Sequence, residues 1–228
     1  MSLQFIGLGG GYGDTQVLRG VSGEVGAGEV LGVIGRNGVG KTTLMRLLTG
    51  ALRPMSGQVL WHGDDLAGWP GHRRQRAGMA YMPQERVVFD PLSVRDNLTL
   101  HRRDRSLAPM APLLDVFARV RERLDLPAGR LSGGEKKLVA FTRVMTDAAS
   151  VLLLDEPSEG VQQENIDRMA RLIDERRQAG AAFIIVEQNL SLLLRVAQRV
   201  IVLDHGERVH TGPGGADERE RLTRYLLV

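Results

Sequence analysis

The sequence predicts an α/β domain with a mostly parallel sheet and a helical insertion. In the last third of the chain, short apolar runs alternate with helical patterns, which is typical of a parallel sheet covered on both faces. Between about residues 85 and 149 the pattern is helical and rich in arginine, which indicates the insertion. Glycine supplies 28 of the 228 residues, so the backbone is expected to turn sharply or approach a ligand closely at several points.

Apolar runs, and the residues that interrupt them, place the first strands and the first helix. Residues 29–35 form a short apolar run that ends in glycine, and residues 41–51 carry leucines at helical spacing. Two further strands are predicted at residues 57–61 and 79–82. The remainder of the first third is expected to form short strands and turns.

Caps and breakers place the remaining elements. Ser93 and Asp96 have the spacing of a capping box, and Ser132 and Glu135 repeat it. The helices predicted after residue 90 are 93–100, 113–124, 135–148, 164–178, 190–197 and 217–226, and the strands are 151–155, 181–187 and 200–204.

The turn after the first buried strand has the composition of a phosphate-binding loop. It matches G-x-x-x-x-G-K-[ST] between a strand and a helix. Glycines let backbone N–H groups point at an anion, and the helix N-terminus adds its dipole. Lys41 stands out further because only three of the 30 basic residues are lysines, the others being Lys136 and Lys137. The nucleotide-binding residues predicted here are Gly35, Arg36, Asn37, Gly38, Val39, Gly40, Lys41, Thr42 and Thr43.

Two carboxylates lie at the end of the strand predicted at residues 151–155. Asp155 is suited to hold Mg²⁺ together with the Thr42 hydroxyl, and Glu156 is placed to polarise an attacking water. The alternative is a buried strand that ends in two solvated carboxylates. The phosphate loop favours the first interpretation, with ATP and Mg²⁺ as cofactors.

The motif Leu-Ser132-Gly133-Gly134-Glu135 precedes this strand, and here the chain resembles the ATP-binding-cassette (ABC) ATPases. The resemblance covers nearly the whole chain. It assigns Tyr12 and Val17 to the nucleotide's adenine end, Gln84 to a loop that helps to hold the metal, and Gln188 to the position of the family's switch histidine. Catalysis is then assigned to Glu156, Gln188 and Lys41, and metal binding to Thr42, Gln84 and Asp155.

The resemblance also implies an architecture. It predicts a P-loop NTPase fold in which residues 1–228 form one ABC ATPase domain with an antiparallel β subdomain near the N-terminus. Residues 1–84 and 150–228 would form the core with that subdomain, and residues 85–149 the helical subdomain that carries the signature.

A partner is implied as well. Two ATPase copies, identical or paralogous, would associate head to tail. Each ATP would then lie between the phosphate loop of one copy and Ser132, Gly133, Gly134 and Glu135 of the other. A plain capping box is the structural alternative for Ser132 and Glu135, and both interpretations can hold.

Two departures from the family pattern concern charge. Glu135 stands where the signature commonly has glutamine, and we expect its side chain to face the helix. Gln188 can hydrogen-bond a phosphate but carries no positive charge; a weakened ATPase is the alternative. Three segments together resemble the smaller ATPase of branched-chain amino acid importers: the phosphate loop, Glu156-Pro157-Ser158-Glu159-Gly160 and Val186-Glu187-Gln188-Asn189. Urea or short-amide importers are close relatives.

Other functional classes are disfavoured. A disulfide framework, a thiol nucleophile and a cysteine-based zinc site are excluded because the chain has no cysteine. A GTPase-like switch lacks its Asn-Lys-x-Asp motif. A soluble ABC ATPase acting on nucleic acid or ribosomes stays an alternative, but the arginines of the insertion are interleaved with acids, so a solvated face is favoured and no nucleic acid is expected.

The expected location follows from the same observations. No secretory signal or apolar run long enough to span a bilayer is recognised, so we expect a cytoplasmic protein that reaches the inner face of the cell membrane through an integral membrane permease. A periplasmic solute-binding protein would be an indirect partner. The four apolar residues Val87, Val88, Phe89 and Leu92 either contact the permease or pack within the insertion.

Overall fold

The computed structural model describes residues 2–227, which form two sheets and a set of helices. The strands are β1 (Ser2–Tyr12), β2 (Thr15–Gly26), β3 (Val30–Ile34), β4 (Ser56–Trp61), β5 (Asp64–Asp65), β6 (Met79–Met82), β7 (Val151–Asp155), β8 (Ala182–Glu187), β9 (Arg199–Asp204) and β10 (Glu207–Pro213). The α-helices are α1 (Lys41–Thr49), α2 (Gly71–Arg76), α3 (Val94–Thr99), α4 (Ala111–Val116), α5 (Ala118–Arg121), α6 (Gly133–Met145), α7 (Gln163–Gln178), α8 (Leu190–Val196) and α9 (Arg219–Leu227).

The larger sheet has the strand order β10-β9-β3-β8-β7-β6. All neighbours pair in parallel except β10, which forms an antiparallel hairpin with β9. Strands β3, β7 and β8 are buried along their whole length because helices and the second sheet cover both faces. The predicted mostly parallel core sheet is confirmed.

The smaller sheet is antiparallel, with the order β2-β1-β4-β5. Its apolar side chains, among them Leu3 and Phe5, share a buried cluster with Leu31 and Val33 of β3. The predicted antiparallel subdomain is therefore confirmed, but the expectation of short strands here was wrong. β1 and β2 span 11 and 12 residues, because glycines that interrupt the apolar pattern are taken up in β-bulges rather than in turns.

The second buried cluster lies on the opposite face of the parallel sheet. It joins Val30 and Ile34 of β3 to the helices between β6 and β7. The four apolar residues of the insertion divide: Val87 and Val88 are buried in this cluster, Leu92 is half-buried, and Phe89 is 60% exposed. Packing within the insertion is thus confirmed for Val87 and Val88, and contact of Phe89 with a permease stays a prediction.

The prediction of one continuous helix over residues 113–124 was wrong. Helices α4 and α5 are separated at Phe117, whose φ of −106° and ψ of 66° leave the helical region. The buried Phe117 ring meets the Phe141 ring edge-on at 6.1 Å, so burial of an aromatic ring accompanies the break in the backbone. The division of the chain at residues 84 and 150 stays a prediction.

Candidate nucleotide site

The phosphate loop connects β3 to α1. Gly38 and Gly40 adopt positive φ angles of 83° and 107°, which side chains rarely tolerate. A Cβ on Gly40 would also lie 2.6 Å from the Leu18 side chain. No side chain caps α1, so the N–H groups of its first turn are directed toward the loop and suit an anion.

Lys41 is buried at the base of this loop. Its Nζ donates to the carbonyl oxygens of Gly35 and Arg36 at 2.9 and 3.0 Å and lies 3.2 Å from Glu156 Oε1. The ammonium group is therefore held in place between the loop and the strand end that carries the acids.

Asp155 ends β7 and is fully buried. The Tyr81 hydroxyl donates to its Oδ2 at 3.3 Å, whereas Oδ1 has no hydrogen-bond partner within residues 2–227. Burial, with a contribution from the neighbouring Glu156 charge, raises the pKa of Asp155 to about 6, although the nearby hydroxyl groups of Thr42 and Tyr81 oppose the shift.

The backbone of Glu156 is strained, with a φ of 48°. This conformation directs its carboxylate at the phosphate loop, where Oε2 accepts a hydrogen bond of 2.9 Å from Gln84 Nε2. Its N–H donates to the Val186 carbonyl at 2.9 Å, so β8 helps to hold the turn.

A Mg²⁺ ion fits the oxygens at this point. Thr42 Oγ1 lies 3.2 Å from Gln84 Oε1, and the unpartnered Oδ1 of Asp155 is a further hard donor. Within residues 2–227, no group of three or more histidine, cysteine or acidic residues is placed to hold a metal ion. Mg²⁺ is usually bound by one or two carboxylates together with substrate phosphates.

Tyr12 and Val17 form the other end of the same cleft. Tyr12 is 44% exposed, and its hydroxyl accepts a hydrogen bond of 3.0 Å from Arg46 Nη1 on α1. The cleft has a volume of about 280 Å³. The residues that line it are Tyr12, Val17, Asn37, Gly38, Gly40, Lys41, Thr42, Thr43, Gln84 and Glu156.

The signature residues lie elsewhere. Ser132, Gly133, Gly134 and Glu135 line a different cavity of about 970 Å³. Ser132 caps α6, and Glu135 Oε2 accepts the Ser132 N–H at 2.9 Å, so Glu135 faces the helix as expected. A Cβ on Gly134 would lie 2.5 Å from the Gly160 carbonyl oxygen, which gives this glycine a packing role as well.

Comparison with known proteins decides the family. The family model described as "ABC transporter" matches residues 18–159. The chain belongs to the ABC transporter family. It is an ATP-binding, ATP-hydrolysing subunit of that family, whose members work with membrane permease subunits and dimerise.

Two relatives and one solved structure illustrate the match. The chain is 36% identical over 209 residues to the high-affinity branched-chain amino acid transport ATP-binding protein BraG of Pseudomonas aeruginosa, covering 90% of each chain. It is 32% identical over 224 residues to the lipopolysaccharide export system ATP-binding protein LptB of Escherichia coli, covering 95% of this chain and 92% of LptB. A structure of an ATP-binding subunit of an ABC transporter superposes with a TM-score of 0.82 at 27% identity, covering 100% of this chain and 95% of that one.

In this ABC ATPase the remaining predicted residues lie outside the cleft lining. Gln188 is exposed directly after β8. Gly35 and Val39 are buried within the loop, and Arg36 points to Asp204 on β9, 3.4 Å away. No helix within residues 2–227 is long and apolar enough to cross a bilayer.

Several contacts at the site were not foreseen from the sequence. Lys137, Glu187, Arg46 and Arg123 each hold a predicted site residue or its neighbour through a side-chain contact. Only Lys137 carried a signal, because lysine is rare in this chain. Glu187 lies in the quoted segment Val186-Glu187-Gln188-Asn189, but that segment does not indicate a contact with Ser158, and Arg46 and Arg123 lack a local pattern.

Proposed function

We propose that this ABC ATPase is the motor of an importer for branched-chain amino acids and that it hydrolyses MgATP between two associated cassettes. One observation carries the catalytic part: the Glu156 carboxylate lies in the phosphate-loop cleft, 3.2 Å from Lys41 and 2.9 Å from Gln84. A base, a cation and a metal-binding amide thus converge where a terminal phosphate would be bound.

The residues divide the work as follows. The N–H groups of the loop at Gly38 and Gly40 cradle the phosphates, and Lys41 neutralises the charge that builds up on the transferred phosphoryl group. Mg²⁺, held by Thr42, Gln84 and Asp155, would supply a second positive charge to the same phosphates. Glu156 accepts the proton of the attacking water, and Tyr12 stacks on the adenine.

A second copy is supported by the position of the signature. Ser132 and the two glycines after it line a cavity separate from the cleft of Lys41. If both motifs bind one ATP, they must come from two chains. Each copy then contributes its loop to one nucleotide and its signature to the other, and hydrolysis releases the pair.

Only similarity to known transporter subunits supports the proposed solute and direction of transport. The identity to BraG favours branched-chain amino acid import, and the identity to LptB favours an exporter as the second candidate. The exposed ring of Phe89 suits contact with a permease at the membrane's inner face.

The catalytic proposal is tested with Glu156→Gln. We expect this variant to bind ATP, to lose turnover and to accumulate a dimer with ATP trapped between the copies, detected by size-exclusion chromatography. ATP hydrolysis by the variant at the wild-type rate would show that Glu156 is not the catalytic base.

The solute is tested by uptake in the parent cell. Deletion of this chain should abolish uptake of radiolabelled leucine, and the Glu156→Gln variant should fail to restore it. Normal leucine uptake together with a defect in lipid export would select the exporter, and a defect in urea uptake would select the urea-type relative.

A further inference from the structure

Lys137 is a buried cation on α6, on the helix that begins at the signature. Its side chain is 8% exposed, and its Nζ donates to the backbone carbonyls of Gln84 at 2.9 Å and of Glu156 at 2.8 Å. The carboxylate of Glu159 lies 3.6 Å away. The acceptors belong to two segments: Gln84 lies in the loop after β6, and Glu156 and Glu159 lie in the loop between β7 and α7.

A buried ammonium group is costly unless it is fully hydrogen-bonded. Lysine carries three N–H donors and no acceptor; Lys137 uses two of them on backbone carbonyls, and Glu159 pairs with its charge. A plain core position would be filled by an apolar side chain at no such cost. These interactions therefore indicate that the role of Lys137 is to fix the backbone carbonyls that it contacts.

One of the residues that Lys137 contacts, Glu156, has a strained backbone conformation. Glu156 has a left-handed φ of 48°, a conformation that persists in a non-glycine residue only where its surroundings fix it. The N–H of Glu156 is fixed by the Val186 carbonyl, and its carbonyl is fixed by Lys137. The same ammonium group fixes the backbone of Gln84, whose amide donates to the Glu156 carboxylate.

We propose that Lys137 is a positioning residue for ATP hydrolysis, which ties the backbones of Gln84 and Glu156 together so that the metal-binding amide and the base keep their alignment. Its hydrogen bonds are made to backbone carbonyls, and it is not among the residues that line the nucleotide cleft. The inference rests on the proposed function, since it presumes that Glu156 is the base. Because Lys137 lies on α6, any displacement of the signature helix on docking of a second cassette is transmitted directly to the Glu156 turn.

The test compares Lys137→Met, which keeps the length of the side chain but removes every donor, with Lys137→Gln, which keeps two N–H donors without the charge. The matched control is Lys136→Met. Lys136 is the adjacent residue of α6, and its Nζ pairs with Asp90 at 2.8 Å, away from the cleft. Steady-state hydrolysis of MgATP and equilibrium binding of ATP are measured for all three variants, with thermal unfolding as a check on folding.

We expect Lys137→Met to lower kcat roughly 10- to 100-fold, the loss that follows when a catalytic group is misplaced by about an ångström. The KM and the Kd for ATP should stay within about twofold of wild type, because the phosphate loop keeps its own contacts. Lys137→Gln should recover part of kcat, and Lys136→Met should match wild type. A merely structural lysine would not separate kcat from Kd in this way.

A kcat for Lys137→Met within about twofold of wild type would overturn the proposal, as would equal losses in kcat and in ATP affinity. If Lys137→Met does not fold, Lys137→Gln decides: a selective loss of kcat supports the proposal, and wild-type kinetics refute it. Failure of the underlying function is seen separately, since it would leave Glu156→Gln active.

Discussion

Glu187 offers a quantitative test of the packing beneath the catalytic turn. It ends β8 almost fully buried, and its Oε1 accepts hydrogen bonds from Ser158 N–H at 2.9 Å and from Ser158 Oγ–H at 2.6 Å. Burial raises the pKa of Glu187 to about 7, and the charge of Glu156 adds to the shift. The two Ser158 hydrogen bonds and the charge of Lys137 oppose it. The substitution Glu187→Gln removes the titrating group while keeping an acceptor for Ser158.

The sign follows from proton binding in the two states. The native carboxyl keeps its proton up to about pH 7, whereas in the unfolded chain its pKa is 4.5. Between these values the native state holds one proton more, so the free energy of unfolding falls as pH rises. A shift of this size corresponds to about 3 kcal/mol, all of it lost above pH 7 and fully recovered below pH 4.5.

Urea unfolding at a series of pH values measures this contribution. The free energy of unfolding of Glu187→Gln, taken relative to wild type at each pH, should rise by about 3 kcal/mol between pH 4.5 and pH 8. Taking the difference at each pH cancels the titration of groups common to both proteins. Ser158→Ala, which removes the hydroxyl donor, should move the midpoint of the wild-type pH dependence upward.

A difference between the two proteins that does not change from pH 4.5 to pH 8 would refute the reasoning. It would mean that Glu187 titrates alike in the folded and unfolded states, and therefore that water reaches the carboxylate beneath the Ser158 turn.

Two further predictions concern residues that differ from the family's usual pattern. If Gln188 hydrogen-bonds the terminal phosphate, as its predicted switch position implies, Gln188→Ala should lower kcat by roughly tenfold with little change in the Kd for ATP. Equal hydrolysis by wild type and variant would contradict this role. Arg123 Nη1 donates to Glu135 Oε2 at 2.9 Å, so Arg123→Gln should weaken the ATP-dependent dimer about tenfold by leaving the Glu135 charge uncompensated beside a phosphate. Adding Glu135→Gln should restore the dimer, and a double variant as weak as the single one would show that Arg123 acts otherwise.

The parallel core was predictable because its strands are buried on both faces. A continuous apolar run such as β7 or β8 needs no knowledge of its neighbours to be recognised. The phosphate loop was predictable for a related reason. Its function depends on backbone N–H groups, and the glycines that expose them, Gly38 and Gly40, are visible in the sequence itself.

Two hairpins were missed although the sequence marks them. β4 turns into β5 at His62-Gly63, and β9 turns into β10 at His205-Gly206, with positive φ at all four residues. This is the two-residue turn that matches strand twist, for which asparagine or aspartate is the usual first residue. Because histidine stands at that position, the turns were not recognised from the sequence. The strands that follow, β5 and β10, are polar, so no apolar run indicated them either.

The hydrogen bonds that connect distant segments at the site could not be predicted from the sequence, for a different reason. The hydrogen bond from Lys137 to the Gln84 carbonyl joins residues 53 positions apart, and the pair of Ser158 and Glu187 spans 29. Gln84 and Glu187 lie in recognised motifs, but no motif indicates these pairings, because each bond is made to a backbone group or to a hydroxyl that almost any residue nearby would offer. Only the packing of α6 against the ends of β6 and β7 decides which acceptor meets the ammonium group.

The two nucleotide-binding motifs of this cassette lie in two separate cavities, with Lys41 lining one and Ser132 lining the other. The α6 helix connects them, since it carries Ser132 at its start and Lys137 one turn later against the Glu156 carbonyl. In the proposed dimer, a contact between the signature and a neighbouring cassette would lie about six residues of helix from the Glu156 turn of the same chain, with Lys137 as the side chain that connects the two.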